Sequence, residues 1–141
     1  MAVLSAESSN QKLFIAKKVE LLMMLLSIQF LLGMGLNLID GLGSDISHQA
    51  RIFWDTLLIL HVTNAFVMLG FAIVVLRYSV KNFQQTRKPT TIALTGISLA
   101  IIGGLLTINH YHEQLMSFFM AAAFLIAVSV YGRTLAKLGP H

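Results

Sequence analysis

Cysteine is absent from the chain, which excludes a disulfide framework, thiolate metal sites, iron–sulfur clusters and thiol–disulfide chemistry. Charge is scarce as well. Asp, Glu, Lys and Arg make up 11% of the 141 residues, where a soluble globular chain carries roughly a quarter. Acidic residues are the fewer, 6 against 10 Lys and Arg. The net charge of +4 does not read as a nucleic-acid patch, because the basic residues sit in short clusters beside apolar runs. No cleavable signal peptide is expected, since the first ten residues carry Glu7 among several polar residues and the first apolar run is too long for a signal core.

What is present is hydrophobic, 56% of the chain. The fold class this implies is all-α, an integral membrane four-helix transmembrane bundle forming a single domain over residues 19–141 behind a short head, 1–18. The spans are expected at about 19–40, 55–78, 90–109 and 114–134. The run Leu21 to Ile39 has no formal charge. At about 1.5 Å per residue it crosses a hydrocarbon core of about 30 Å. Gly41 to Trp54 reads as the longest connection, with a short interfacial helix over 46–54 capped by Ser44 or Asp45 and with Trp54 at an aromatic belt. Ser79 to Thr91 reads as the second connection, with Pro89 just before the third helix. The third span is rich in small residues, Gly96, Ser98, Ala100, Gly103 and Gly104, as the first is at Gly33 and Gly35; these permit close helix approach. A tight turn, Asn109 to Glu113, leads into the fourth span.

Lys12, Lys17 and Lys18 of the head, Arg77, Lys81, Arg87 and Lys88 of the second connection, and Arg133 and Lys137 of the tail fall on one side, leaving Arg51 on the other. The positive-inside rule then puts both termini in the cytoplasm, with a bacterial or archaeal plasma membrane as the expected location. Asp40, Asp45, Asp55, His48, His110, His112 and Glu113 gather at the outer side, and His61 lies within two turns of it. There is also a faint internal repeat. His61-x-x-x-Ala65 through Arg77 aligns with Ser117-x-x-x-Ala121 through Arg133, and Leu32 to Leu36 resembles Ile102 to Leu106.

An imidazole inside an apolar span needs a partner. Neutral imidazole suits haem iron, copper or zinc, and a haem in a four-helix bundle is ligated from facing helices. His61 is the first candidate ligand, with His112, or else His110, opposite it at the top of the fourth span. Asn64, Ala65 and Met68 share its helix face, and small residues there, with Gly33 and Gly104 on other helices, would leave space for a flat macrocycle. Equally, His61 could hydrogen-bond across helices to Gln29, Asn37 or Thr107. The turn with His110, His112 and Glu113 is a denser cluster than a loop needs, whereas His48 in an exposed loop reads as solvated.

Gln29-Phe30-Leu31-Leu32-Gly33 followed by His61-Val62-Thr63-Asn64-Ala65 resembles the first hairpin of one four-helix half of the haem A synthase family, over about residues 29–77. In that family a Gln and a Gly of the first helix precede a His near the outer end of the second, and paired histidines bind haem. The resemblance implies that His61 is an axial ligand. It departs from the family in lacking the His-Arg pair, since Val62 follows His61, and in having Ser117 where the second hairpin would carry its histidine.

The leading expectation is thus a small membrane protein binding haem b near the outer side, for electron transfer or haem handling. Bis-histidine ligation leaves no open iron position, which favours a redox carrier over a catalyst. Its expected partners are the lipid bilayer, a redox partner or larger membrane complex, or a second copy in a homodimer, with no nucleic acid. The alternative is a non-catalytic membrane subunit or accessory protein docking through the small-residue faces of the first and third spans. A metal-ion carrier using the outer His, Asp and Glu residues ranks third, because few polar residues approach the midplane.

Overall fold

A computed structural model describes residues 2–40, 47–108 and 113–138. Four helices make up the architecture: α1 (Ala2–Asp40), α2 (His48–Asn82), α3 (Gln84–Ile108) and α4 (Glu113–Leu138). All four are long and apolar enough to cross a membrane. Each packs on its neighbours in a closed ring, α1 on α2 and α4, α2 on α3, and α3 on α4, with no diagonal contact among the described residues. The bundle therefore runs up and down in chain order. The start of α1 and the end of α4 lie at the same end as the α2–α3 junction. Nine of the ten Lys and Arg residues belong to that end, all but Arg51.

The seam follows the 3–4 spacing that keeps one side of a helix facing its neighbours. On α1 it is Ile15, Val19, Leu22 and Leu26; on α2 it is Ala65, Met68, Ala72, Val75 and Ser79. Thr86, Thr90, Ala93 and Ile97 supply it from α3, and Ala123, Ala127, Tyr131 and Thr134 from α4. Most large apolar side chains point the other way, Leu31, Leu38, Ile59, Phe118 and Leu125 among them, as a bundle surrounded by lipid requires. Aromatic pairs join the helices at two levels. Phe14 meets Tyr78 between α1 and α2, and Phe30 meets Phe124 between α1 and α4, each pair 5.1 Å apart.

Several boundaries differ from those the sequence suggests. α1 runs unbroken from Ala2 to Asp40, so residues 2–18 of the expected head continue into the first span as one helix. Residues 48–54 of the expected interfacial helix are the first part of α2, capped by Ser47, whose hydroxyl accepts from the Ala50 N–H at 3.3 Å, and Ile46 lies outside the described residues. Ser44 and Asp45 lie outside the described residues. The second connection shrinks to Phe83 alone, whose N–H donates to Ser79 O at 2.9 Å. Pro89 sits inside α3, near its start. Its missing N–H removes one helical hydrogen bond, the one to Gln85 O in the first turn, and the Thr90 and Thr91 hydroxyls donate back to Thr86 O and Arg87 O beside it.

The small residues of α1 and α3 are used within the chain. A Cβ on Gly96 would come within 3.2 Å of Ala123 O, and one on Gly35 within 3.3 Å of Leu57. By contrast, Gly70 and Gly132 have nothing within 4 Å of a Cβ. The expectation that the first and third spans offer free docking faces is thereby corrected at these glycines, because close approach of neighbouring helices has filled them. Nor do the two halves of the repeat pack alike, since Ala65 is buried and Ala121 exposed. Gly96→Leu is expected to force α3 from α4 and destabilise the bundle by about 1–3 kcal/mol. Gly132→Leu should leave thermal unfolding in detergent unchanged; equal effects of the two would contradict this packing.

Candidate functional site

His61 lies on α2, half-buried, at the contact with α1. Antiparallel packing brings Leu25, Gln29 and Gly33 of α1 opposite Asn64 and His61 of α2. Residues four apart share a helix face, so Leu25, Gln29 and Gly33 form one row. A Cβ on Gly33 would stand 3.2 Å from Cε1 of the imidazole, so the absence of a side chain there is what lets the ring lie against α1.

The polar groups form a chain whose direction is set by the backbone. Leu25 O can only accept, so Asn64 turns its Nδ2 towards it, at 3.0 Å. The same amide nitrogen donates to Gln29 Oε1 at 2.8 Å. Gln29 must then present its own Nε2 to the ring, 3.0 Å from His61 Nε2. A side-chain amide nitrogen donates and does not accept, so His61 Nε2 accepts and the ring proton resides on Nδ1. Nδ1 is buried with no hydrogen-bond partner among the described residues. The lone pair that an iron would take is thus engaged by Gln29.

The space expected for a macrocycle is occupied by protein. Ala65 and Met68 are buried in the helix seam. Gly33 is covered by the His61 ring, and Gly104 faces Met120 of α4, whose Sδ lies 3.3 Å from where a Cβ would be. The residues around His61 therefore do not fit a haem wedged between α1 and α2 in this arrangement. His110 and His112 lie outside the described residues. Among those described, no group of three or more His, Asp or Glu is placed to hold a metal ion. His48 is exposed. Of the three partners considered for His61, Gln29 is the one found, while Asn37 is exposed and Thr107 donates to Gly104 O at 2.7 Å.

One feature escaped the sequence reading. Ser79, Thr86, Thr90 and Thr134 are buried together with Tyr131 in the half of the bundle nearer the basic end. Thr90 and Thr134 donate to carbonyls of their own helices and Thr86 to Phe83 O at the α2–α3 junction, whereas Ser79 Oγ and Tyr131 OH are buried without a partner among the described residues. Their 3–4 spacing was the available signal, masked because hydroxyl residues read as polar breaks in an apolar run.

The chain matches no protein-family model, no curated protein and no solved structure.

If the chain of hydrogen bonds is as described, His61→Leu should strand the Gln29 amide donor. The double variant Gln29→Leu with His61→Leu removes both partners and should be more stable than the sum of the single losses. The coupling expected from a double-mutant cycle in detergent is about 0.6 kcal/mol and at most about 1.7 kcal/mol. Strict additivity would mean that the pair does not interact.

Proposed function

We propose that the chain is a non-catalytic subunit of a membrane assembly, with both termini in the cytoplasm by the positive-inside rule. The observation that carries this reading is the closed direction of the Leu25–Asn64–Gln29–His61 chain. An imidazole whose accepting nitrogen is held by an amide works as an interhelical clasp. A cluster built for chemistry would leave a lone pair open to a substrate; here the ring's lone pair is taken by Gln29, and its Nδ1–H, unpaired among the described residues, is buried against Gly33 of α1. The outward glycine Gly70 supports a role carried by a surface. Glycine in a helix interior costs about 1 kcal/mol relative to alanine in water, and the bundle itself gains no packing from it. A small residue on a lipid-facing helix lets a transmembrane helix of a partner subunit approach closely.

Haem binding is the second reading. It is favoured by the meeting, at one point of the fold, of Gln29, Gly33 and His61, the residues through which the chain resembles haem A synthase. In that reading His61, with His112 or His110, would hold haem b, and the ring nitrogen now bonded to Gln29 would be the one that holds it. A bound haem would supply reversible one-electron chemistry.

One spectrum separates the two. The chain, expressed with ample haem and purified, is expected to show no alpha band in its reduced-minus-oxidised difference. A sharp band abolished by His61→Gln would establish the haem reading. For the subunit reading, mild extracts of native membranes should contain the chain in a complex larger than its own 15.5 kDa. Gly70→Leu should weaken that complex without lowering the thermal stability of the isolated bundle. A complex unaffected by Gly70→Leu would rule out docking through this face of α2.

A further inference from the structure

At the basic end the four helices do not close on one another. A cavity of about 460 Å³ opens there, between the start of α1, the α2–α3 junction and the end of α4. Two cations line it, Lys12 from α1 and Lys137 from α4. Three side-chain amides, those of Asn82, Gln84 and Gln85, line it too. Asn82 spends one N–H on Tyr78 O at 3.2 Å and keeps its second. Among the described residues, no carboxylate belongs to the lining. The first turn of α3 forms one wall; Thr86 N–H is taken by Phe83 O at 3.0 Å, and the N–H groups of Gln84 and Gln85 have no intrahelical acceptor. The cavity thus collects positive charge and hydrogen-bond donors from all four helices. Phe83 and Leu138 add an apolar side.

Such a lining suits a phosphate group, whose oxygens accept from lysine and amide donors together. Two features point to a phosphate that comes attached to a lipid. The helices below the cavity expose apolar side chains all round, so acyl chains have a surface to follow. Nine of the ten basic residues also belong to this end, the distribution that draws anionic headgroups to a membrane protein. We propose that the cavity binds the phosphate of an anionic phospholipid head, gripped by Lys12 and Lys137 against the start of α3.

The test uses the full chain purified in a mild, uncharged detergent. Native mass spectrometry and thermal unfolding are followed during titration with phosphatidylglycerol, with phosphatidylcholine, and with inorganic phosphate alone. Phosphatidylglycerol is expected to remain bound and to raise the unfolding temperature, with little effect from phosphatidylcholine or inorganic phosphate. The double variant Lys12→Gln with Lys137→Gln should weaken phosphatidylglycerol binding by roughly tenfold or more, as loss of two lysines near a headgroup implies. The control Lys81→Gln with Lys88→Gln removes the same charge from the same end, outside the cavity, and should change binding less than twofold. Lys137→Arg should retain binding, which separates charge loss from misfolding. Equal loss in the two double variants would reduce the effect to general surface charge and overturn the site. Equal protection by inorganic phosphate would overturn the lipid as its source.

Discussion

The carbonyl of Leu25 is a small group on which much of the site depends. It belongs to a helix, it already accepts its helical N–H, and its remaining lone pair can take a donor but cannot give one. Asn64 therefore turns its amide nitrogen inwards, Gln29 follows with its oxygen towards Asn64, and His61 is left as the acceptor at the end of the chain. A backbone group with one possible role thus decides the tautomer of the side chain that looked most reactive in the sequence. In an apolar span, where no water can substitute for a lost partner, that constraint is stronger than it would be at a soluble surface.

The rest of the bundle is arranged so that this contact and its neighbours can form. Helix association in lipid has little hydrophobic driving force, so it relies on close van der Waals contact and on interhelical polar pairs. The glycines of α1 and α3 supply the closeness. Gly33 admits the His61 ring, Gly96 admits the backbone of α4, and Gly103 and Gly104 admit Met120. Both hairpins thus place one bulky side chain over a glycine of the preceding helix, His61 in the first and Met120 in the second. The equivalent of His61 in packing is therefore Met120, while the aligned repeat had paired His61 with Ser117. Buried hydroxyls occupy the seam towards the basic end, where Thr90 and Thr134 bond within their own helices, Thr86 bonds Phe83 O at the α2–α3 junction, and the interhelical contact is left to Ile15, Val19, Val75 and Ala127.

The helices were legible because uncharged runs of this length admit few alternatives. Their ends were less so. Pro89 looked like a boundary, yet it lies inside α3 near its start, where its missing N–H leaves only Gln85 O without a helical donor. Gly41 and the residues after it suggested a long connection, but α2 begins at His48 under a Ser47 cap, one position choice among several serines and aspartates. Gln29, Asn37 and Thr107 were equal candidates to meet His61, since periodicity says which residues share a face of one helix and nothing about the vertical offset of two. That offset places Gln29 level with the ring.

Composition and patterning by themselves determined that the chain makes four apolar helices, that it has no thiol chemistry, and that its basic residues belong to one end of the bundle. These are properties of single segments, set by transfer free energy and by the obligation of each backbone group to bond within its own helix. Only the tertiary structure decided what the polar residues do, because a hydrogen bond between helices depends on register and rotation, to within an ångström, and no one segment carries that information. It made His61 an acceptor locked to Gln29, consumed the glycines of α1 and α3 inside the bundle, and brought Lys12 and Lys137, 125 positions apart in the chain, to the same cavity.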